Sequence, residues 1–487
     1  MKKELLKYLD RIGQINYLIT MLRWEMDTIA PSTSFDYLIN TSTSLELESF
    51  KLSKSKEYID LLNKMIDSKD FNDLEESEKK YILKCKSDYE HIKNIPDTFY
   101  EMYSKLKSES LNAWVKAKNE SNYNIFKPYL IKIINKTKEL YKYMYPNSNN
   151  LYESMISTYE EGISLDLIDK LFNELKSEII PIINNLKKND LKVINNTYSN
   201  DELYEISKYL LDYIGFDNNR GALGIYTHGY TTKLNNNDVR IVFNNKSDII
   251  THIGTVVHEG GHGIFEQNIS DTLKEYKSYD IDKVALHESQ SRFYENILGR
   301  NINFYKPIYN ELKKLLKINI DIEEFIKYFN DAKKSLIRIE ADELTYCLHI
   351  IIRYEIERDI FNNNLDLEKL DKVWNQKYKE YLGIDIKNDS EGILQDMHWS
   401  DGNFGYFPTY LLGSIFDGML LEHINTTLGD VDELLKNNRI KEITKYLNDN
   451  IHKYGGAYNI NEVSNRLFNK DLEVKSIVKY FKSKYNN

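Results

Sequence analysis

Thr255-Val256-Val257-His258-Glu259-Gly260-Gly261-His262-Gly263-Ile264-Phe265 sets two histidines four residues apart inside a largely apolar run. Val256, Val257, Ile264 and Phe265 mark a buried helix, and positions i and i+4 of a helix lie one turn apart on one face. His258 and His262 can therefore aim their imidazoles at one metal ion, the geometry behind an HExxH motif. The bland alternative is an amphipathic helix whose histidines and glutamate face solvent or a salt bridge. Burial argues against it, because unpaired ionisable groups are costly inside a protein and a divalent cation satisfies all three at once. Catalytic zinc usually takes three protein ligands, and His, His and Glu is a known set. Glu288, in Leu286-His287-Glu288-Ser289-Gln290-Ser291-Arg292, is placed to be the third if its helix packs beside the first. Glu259 neighbours a ligand without ligating, so it can take a proton from the attacking water and hand it to the leaving amine. Each glycine costs a helix interior roughly 1 kcal/mol relative to alanine. Gly260 and Gly261 are therefore expected to make room for another backbone or for a peptide.

Outward from this helix, the pattern stays helical. Leu5, Leu6, Tyr8, Leu9, Ile12 and Ile15 repeat at three- and four-residue spacing, as do apolar residues through 78–145, 166–188, 200–214, 308–361 and 430–450. The chain is expected to be mainly α. Residues 221–245 are the exception, where Ile225-Tyr226-Thr227-His228 and Val239-Arg240-Ile241-Val242-Phe243 flank a turn-rich Leu234–Asp238. This predicts a small β-hairpin just before the HExxH helix, whose edge can accept an extended peptide. Length alone allows two or three domains. The 487 residues contain only 7 prolines, 20 glycines and no Pro- or Ser/Gly-rich linker, so a single unit over 1–487 is expected, with its catalytic core in 220–420.

A net charge of −10 with interspersed signs and no basic stripe argues against a nucleic-acid partner. Lys2, Lys3, Glu4, Lys7, Asp10, Arg11 and Arg23 interrupt the first residues, so no signal-peptide core is seen there, and no segment has the apolar length of a membrane span. Cys85 and Cys347 lie far apart without a CxxC spacing, which excludes a thiolate zinc site and points to the cytoplasm. Of the 10 histidines, most fall between His228 and His398, as a metal pocket with polar surroundings requires.

Two further constellations carry chemistry. Gly392-Ile393-Leu394-Gln395-Asp396-Met397-His398-Trp399, followed by Gly405-Tyr406-Phe407-Pro408-Thr409-Tyr410, has the mix that lines a pocket with hydrogen-bonding tips on apolar bodies. His398, Tyr406 or Tyr410 can donate to the oxyanion that forms on a scissile carbonyl. Leu336-Ile337-Arg338-Ile339-Glu340-Ala341-Asp342-Glu343 reads as part of a long helix in which Arg338 and Asp342 form an i,i+4 pair. Alternatively Arg338, or Arg240 on the expected strand, meets a substrate carboxylate through its guanidinium fork. Arg353 and Arg292 are further candidates.

At this point the residues resemble a known family, the M32 metallocarboxypeptidases, to which the thermostable Thermus carboxypeptidase belongs. The likeness runs over essentially the whole chain. It rests on His258–His262, on His287–Gln290, on Ile337–Asp342 as Ile-Arg-x-x-Ala-Asp, and on Gly392–Trp399 as Gly-x-x-Gln-Asp-x-His-Trp. Leu22–Pro31 looks like a diverged form of the family's Trp-Asp segment. The family's His-Pro-Phe becomes His228-Gly229-Tyr230 here, and its Asp-x-Arg-x-Thr becomes Asp238-Val239-Arg240-Ile241-Val242. The resemblance implies an elongated, saddle-like helical fold with a deep central groove, a homodimer, zinc or cobalt as cofactor, and release of single C-terminal residues from peptides.

The resulting reading is a cytoplasmic zinc carboxypeptidase acting on peptides with a free C-terminus. His258, His262 and Glu288 bind the metal and Glu259 activates water. Arg338 or Arg240, with Gln395, binds substrate, and His228, His398, Tyr406 and Tyr410 orient the carbonyl or stabilise the oxyanion. The alternatives are a helical zinc endopeptidase or dipeptidyl carboxypeptidase, and a non-catalytic binding protein held together by zinc.

Overall fold

Apolar residues spaced three and four apart need a partner surface, and the chain supplies it mostly as other helices. The computed structural model of the protein describes residues 1–187, 191, 194, 196–235, 237–280 and 283–485. Asn236, in the expected turn, and Lys188, at the end of the expected 166–188 helix, lie outside the described residues. Packing gathers the chain into two compact units. One comprises Met1–Tyr89, Asp190–Asn330 and Met419–Lys470, and the other Glu90–Asn189, Asp331–Gly418 and Asp471–Asn487. Both are mainly helical, as expected, with one small sheet among the described residues.

In the first unit, helix α1 (Lys2–Thr28) buries Leu5, Tyr8, Leu9 and Ile12 against Tyr58, Leu62, Tyr81, Ile82, Leu273 and Tyr276. Helix α2 (Asn200–Ile214) opens with a capping box in which Ser199 and Glu202 satisfy each other's backbone donors. The sheet follows, with strands β1 (Gly221–Ile225), β2 (Tyr230–Asn235) and β3 (Asp238–Phe243) in the order β1-β3-β2. The hairpin is β2–β3, and β1 pairs parallel to β3. The expectation of one hairpin with a strand at Ile225–His228 is thus corrected. That strand ends at Ile225, and His228 lies exposed in the loop between β1 and β2. Helix α3 (Ile249–Gln267) begins where Asp248 accepts from the backbone N–H of Ile250 and Thr251. Helix α4 (Val284–Arg292) runs directly into a π-helical turn, Phe293–Leu298.

Directly opposed residues of an antiparallel pair share a face of the sheet. Thr231 opposes Ile241 and Lys233 opposes Val239 on the face toward α3, where Lys233 Nζ lies 3.2 Å from Glu266. Tyr230 opposes Val242 and Thr232 opposes Arg240 on the other face. There the Tyr230 hydroxyl donates to Asp27 of α1 at 2.9 Å, and the Arg240 guanidinium lies 4.4 Å from the Trp24 ring centre. The sheet is therefore held between the end of α1 and the HExxH helix.

In the second unit, helix α5 (Tyr346–Asn362) is buried on nearly every side, which requires partners for its charges. Glu357 accepts hydrogen bonds from the Tyr152 hydroxyl, the Trp399 indole and the Gly405 N–H. The continuous helix expected over 308–361 does not form. Arg338–Glu340 is a single 3-10 turn between extended residues Ile337 and Ala341. The pattern is interrupted between Leu315 and Ile322 and again before α5, and Asp342 explains the second break. Its carboxylate accepts from the backbone N–H of Lys333, Leu344 and Thr345 and from the Thr345 hydroxyl, a set of bonds that turns the chain. The expected Arg338–Asp342 helix pair is replaced by Arg338–Asp396 at 2.8 Å.

Candidate metal centre and active site

The sequence Gly260-Gly261 decides how closely α3 is approached. A Cβ on Gly261 would stand 2.7 Å from the Ser291 Cα and 2.8 Å from the Gln290 carbonyl oxygen, and one on Gly260 would meet Ile214 and Leu211 of α2 at 2.5 and 2.7 Å. The glycines thus make room for neighbouring helices rather than for a peptide. Because α4 comes this near, Glu288 reaches the two histidines: ligand atoms of His258, His262 and Glu288 all lie within 4.8 Å of one another. His262 Nε2 is 3.5 Å from Glu288 Oε2.

Around these three the protein supplies a graded set of contacts. His258 Nδ1 lies 2.8 Å from Oε2 of Glu295, on the π-helical turn that continues α4. A hydrogen bond there fixes the Nδ1–H tautomer and leaves Nε2 as the donor toward a metal. His262 stacks on His287, with ring centres 4.3 Å apart, and its Nδ1 has no hydrogen-bond partner among the described residues. His287 is 3.3 Å from Glu266, which Lys233 holds from the other side.

Burial works against charge on His258, yet the Glu295 hydrogen bond and the surrounding carboxylates push its imidazole up to about 9. His262 moves the other way, to about 3, under burial and the neighbouring His287. Glu288 is held down at about 2 despite burial, by its contact with His262 and by the His258 charge. The two imidazoles thus stand amid the carboxylates of Glu259, Glu288 and Glu295. A divalent cation suits that excess of negative charge. Glu259 is buried and its carboxyl is raised above the usual range, chiefly by that burial, with the His258 charge and a Thr231 hydrogen bond pulling it back. A carboxylate raised in this way is better suited to taking up a proton than an exposed one.

The second unit assembles the other motif residues by itself. Asp396 is clasped by Arg338, through Nε at 3.0 Å and Nη2 at 2.8 Å, and by Arg353 Nε at 2.6 Å. Burial opposes its charge, but the two guanidinium groups hold its carboxyl well below the usual carboxylate range. Gln395 Oε1 accepts from the Arg338 backbone N–H, Arg353 and the Tyr378 hydroxyl. His398 stacks near Tyr406, 5.6 Å between ring centres, and Tyr406 packs edge-on against Tyr410 at 5.1 Å. Burial, helped by the two arginines, pushes the His398 imidazole down to about 4. Arg338, Gln395, His398, Tyr406 and Tyr410 thus form one cluster. Arg240, in the first unit, pairs with Asp238 at 2.8 Å on the sheet face turned away from α3.

The Carboxypeptidase Taq (M32) metallopeptidase family matches the chain over residues 4–485. The protein belongs to this family.

Its M32 relatives cover four fifths or more of both partners. Carboxypeptidase 1 of Bacillus subtilis is 35% identical over 497 residues, 100% of this chain and 98% of its own. Thermostable carboxypeptidase 1 of Thermus thermophilus is 27% identical, covering 82% and 81%. A solved structure of Pyrococcus furiosus carboxypeptidase superposes with a TM-score of 0.93 at 28% identity, covering 99% and 98%. The protein is thus a metallocarboxypeptidase, a hydrolase of peptide substrates that works with a metal ion. Among its described residues no helix is long and apolar enough to cross a membrane.

The donor set fits a metal. Tetrahedral bonds of about 2.0–2.1 Å place adjacent ligand atoms roughly 3.3–3.4 Å apart, and His262 Nε2 and Glu288 Oε2 stand at 3.5 Å. In this M32 enzyme the reading of motifs missed Glu295 and Thr231. Glu295 left a faint signal, since it follows Glu288 by seven residues and so returns to the same helix face. Thr231 left none beyond its place in an alternating strand.

Proposed function

We propose that the protein is a zinc carboxypeptidase that releases single residues from the free C-terminus of peptides, with cobalt as a working substitute. The observation that carries this reading is the convergence of His258, His262 and Glu288 beside the buried Glu259 in an M32 chain. A divalent cation held there supplies a Lewis acid and brings a water's pKa down to about 7. Glu259 takes the proton of the attacking water and returns it to the departing amine. His258 is kept in one tautomer by Glu295, and His262 is kept in orientation by the His287 ring.

The remaining roles follow the family resemblance. Arg338 or Arg240 takes the terminal carboxylate with help from Gln395, and His228, His398, Tyr406 and Tyr410 serve the carbonyl. The same reading makes the whole chain one peptidase domain, active as a homodimer in the cytoplasm, where its free, buried Cys85 and Cys347 stay reduced.

A short peptide followed by mass spectrometry, with and without a C-terminal amide, tests the activity. Stepwise loss of single C-terminal residues, stopped by the amide and by chelator, is the expected result. Internal cleavage of the amidated peptide would replace this reading with an endopeptidase.

A further inference from the structure

A glutamate has three side-chain torsions, the last one broad, so a general base on a helix needs something to hold its carboxylate. Strand β2 provides it. Side chains alternate along a strand, and the two residues of β2 that face α3, Thr231 and Lys233, each meet a carboxylate of that helix. Lys233 pairs with Glu266. The Thr231 Oγ1 lies 2.8 Å from Oε2 of Glu259 and 2.9 Å from the Glu259 carbonyl oxygen. Its one hydroxyl proton is donated to this one residue whichever oxygen receives it. Among the described residues no other hydrogen-bond donor to the Glu259 carboxylate is found, and Glu259 is only 6% exposed, so solvent offers little substitute.

The position of Thr231 is itself well determined. Its backbone is registered opposite Ile241 in the β2–β3 pair, and a β-branched side chain is stiff at χ1. The hydroxyl is therefore delivered to Glu259 from a fixed point on the sheet, independent of helix α3. Donated to Oε2, the shorter of the two contacts, the hydroxyl proton leaves Oε1 to meet the proton of the attacking water.

We propose that Thr231 is a positioning residue for Glu259, orienting the carboxylate so that Oε1 takes the proton during peptide hydrolysis. The proposal rests on the reading of Glu259 as the proton acceptor. Its test keeps the two apart.

Thr231→Val preserves shape and branching but removes the hydroxyl, and Thr231→Ser restores a hydroxyl on a less restricted side chain. In the zinc-loaded enzyme Thr231→Val is expected to lower kcat about 10- to 100-fold, as for a lost hydrogen bond to a charged catalytic group, while KM changes less than about threefold. Zinc affinity by chelator competition should stay at its parent value, the melting temperature should fall by no more than the loss of one buried hydrogen bond, and Thr231→Ser should recover most of kcat. Effects on residues that act as a unit are not additive. Thr231→Val added to Glu259→Gln should therefore cost nothing further.

An unchanged kcat in Thr231→Val, beside an inactive Glu259→Gln, would overturn the proposal and leave the base assignment standing. A parallel fall of kcat, zinc affinity and melting temperature without rescue by serine would reduce Thr231 to a packing role. Retained activity in Glu259→Gln would remove the base assignment and the proposal together.

Discussion

His258 Nδ1 and Glu295 Oε2 lie 2.8 Å apart, and Glu295 sits on the same continuous helix as Glu288, one on the π-helical turn that extends α4 and the other on α4 itself. One element thus reaches the candidate metal centre twice, directly and through a histidine. π-Helical turns are rare and concentrate at functional sites, and here the turn carries the carboxylate that meets His258 Nδ1. Glu295→Ala is expected to weaken zinc binding about 10- to 100-fold, as is common when a ligand's carboxylate partner is lost. Chelator competition measures this, and an unchanged dissociation constant would show that His258 needs no such support.

Glu259→Gln separates binding from chemistry. The variant should retain zinc, since no ligand is altered, while kcat falls by at least about 10²-fold, the contribution expected of a general base. Metal content and turnover measured on the same preparation check it, and residual activity above a few per cent of the parent would contradict the role.

His262→Ala removes a proposed ligand whose Nε2 lies 3.5 Å from Glu288. Two remaining ligands hold a metal poorly. The purified variant should lose stoichiometric zinc, read by elemental analysis, and full occupancy would take His262 out of the ligand set.

Asp396→Asn should destabilise the fold more than any surface substitution. Its carboxylate pairs with both Arg338 and Arg353, the latter fully buried, and removing one partner of a buried ion pair costs about 3–5 kcal/mol. Urea unfolding monitored by circular dichroism gives the difference. A change below about 1 kcal/mol, the size of an exposed pair, would mean that water replaces the carboxylate.

Acid should loosen the face of α3 that packs on β2. Burial would raise the Glu266 carboxyl, but the Lys233 charge and the His287 contact dominate and bring it to about 2, below its ordinary 4.5. A depressed folded value means that the unfolded chain binds more protons in this range. The Glu266 contribution is complete above about pH 4.5 and fades as pH falls toward 2. Lys233→Met should flatten this part of the stability–pH curve, measured by melting temperature between pH 2 and pH 6, and an unaltered slope would assign the acid sensitivity to other carboxylates.

Much of this protein was legible in its sequence because the signals are local. Helical periodicity, the four-residue spacing of His258 and His262, and the glutamate between them depend only on the pitch of one helix. That Glu288 comes near these histidines was legible for a related reason, as the candidate third member of a known ligand set whose motif lies close by in the chain. The glycines at 260 and 261 were read as room, and only the packed neighbours show that α2 and α4 occupy it. The 308–361 periodicity misled because apolar spacing survives across a break that Asp342 imposes through four accepted hydrogen bonds. Arg338 pairing with Asp396, Glu295 with His258 and Thr231 with Glu259 were decided by tertiary structure alone. Each joins residues 28 or more positions apart, and which side chains meet at that range depends on how sheets and helices pack, which no local spacing encodes.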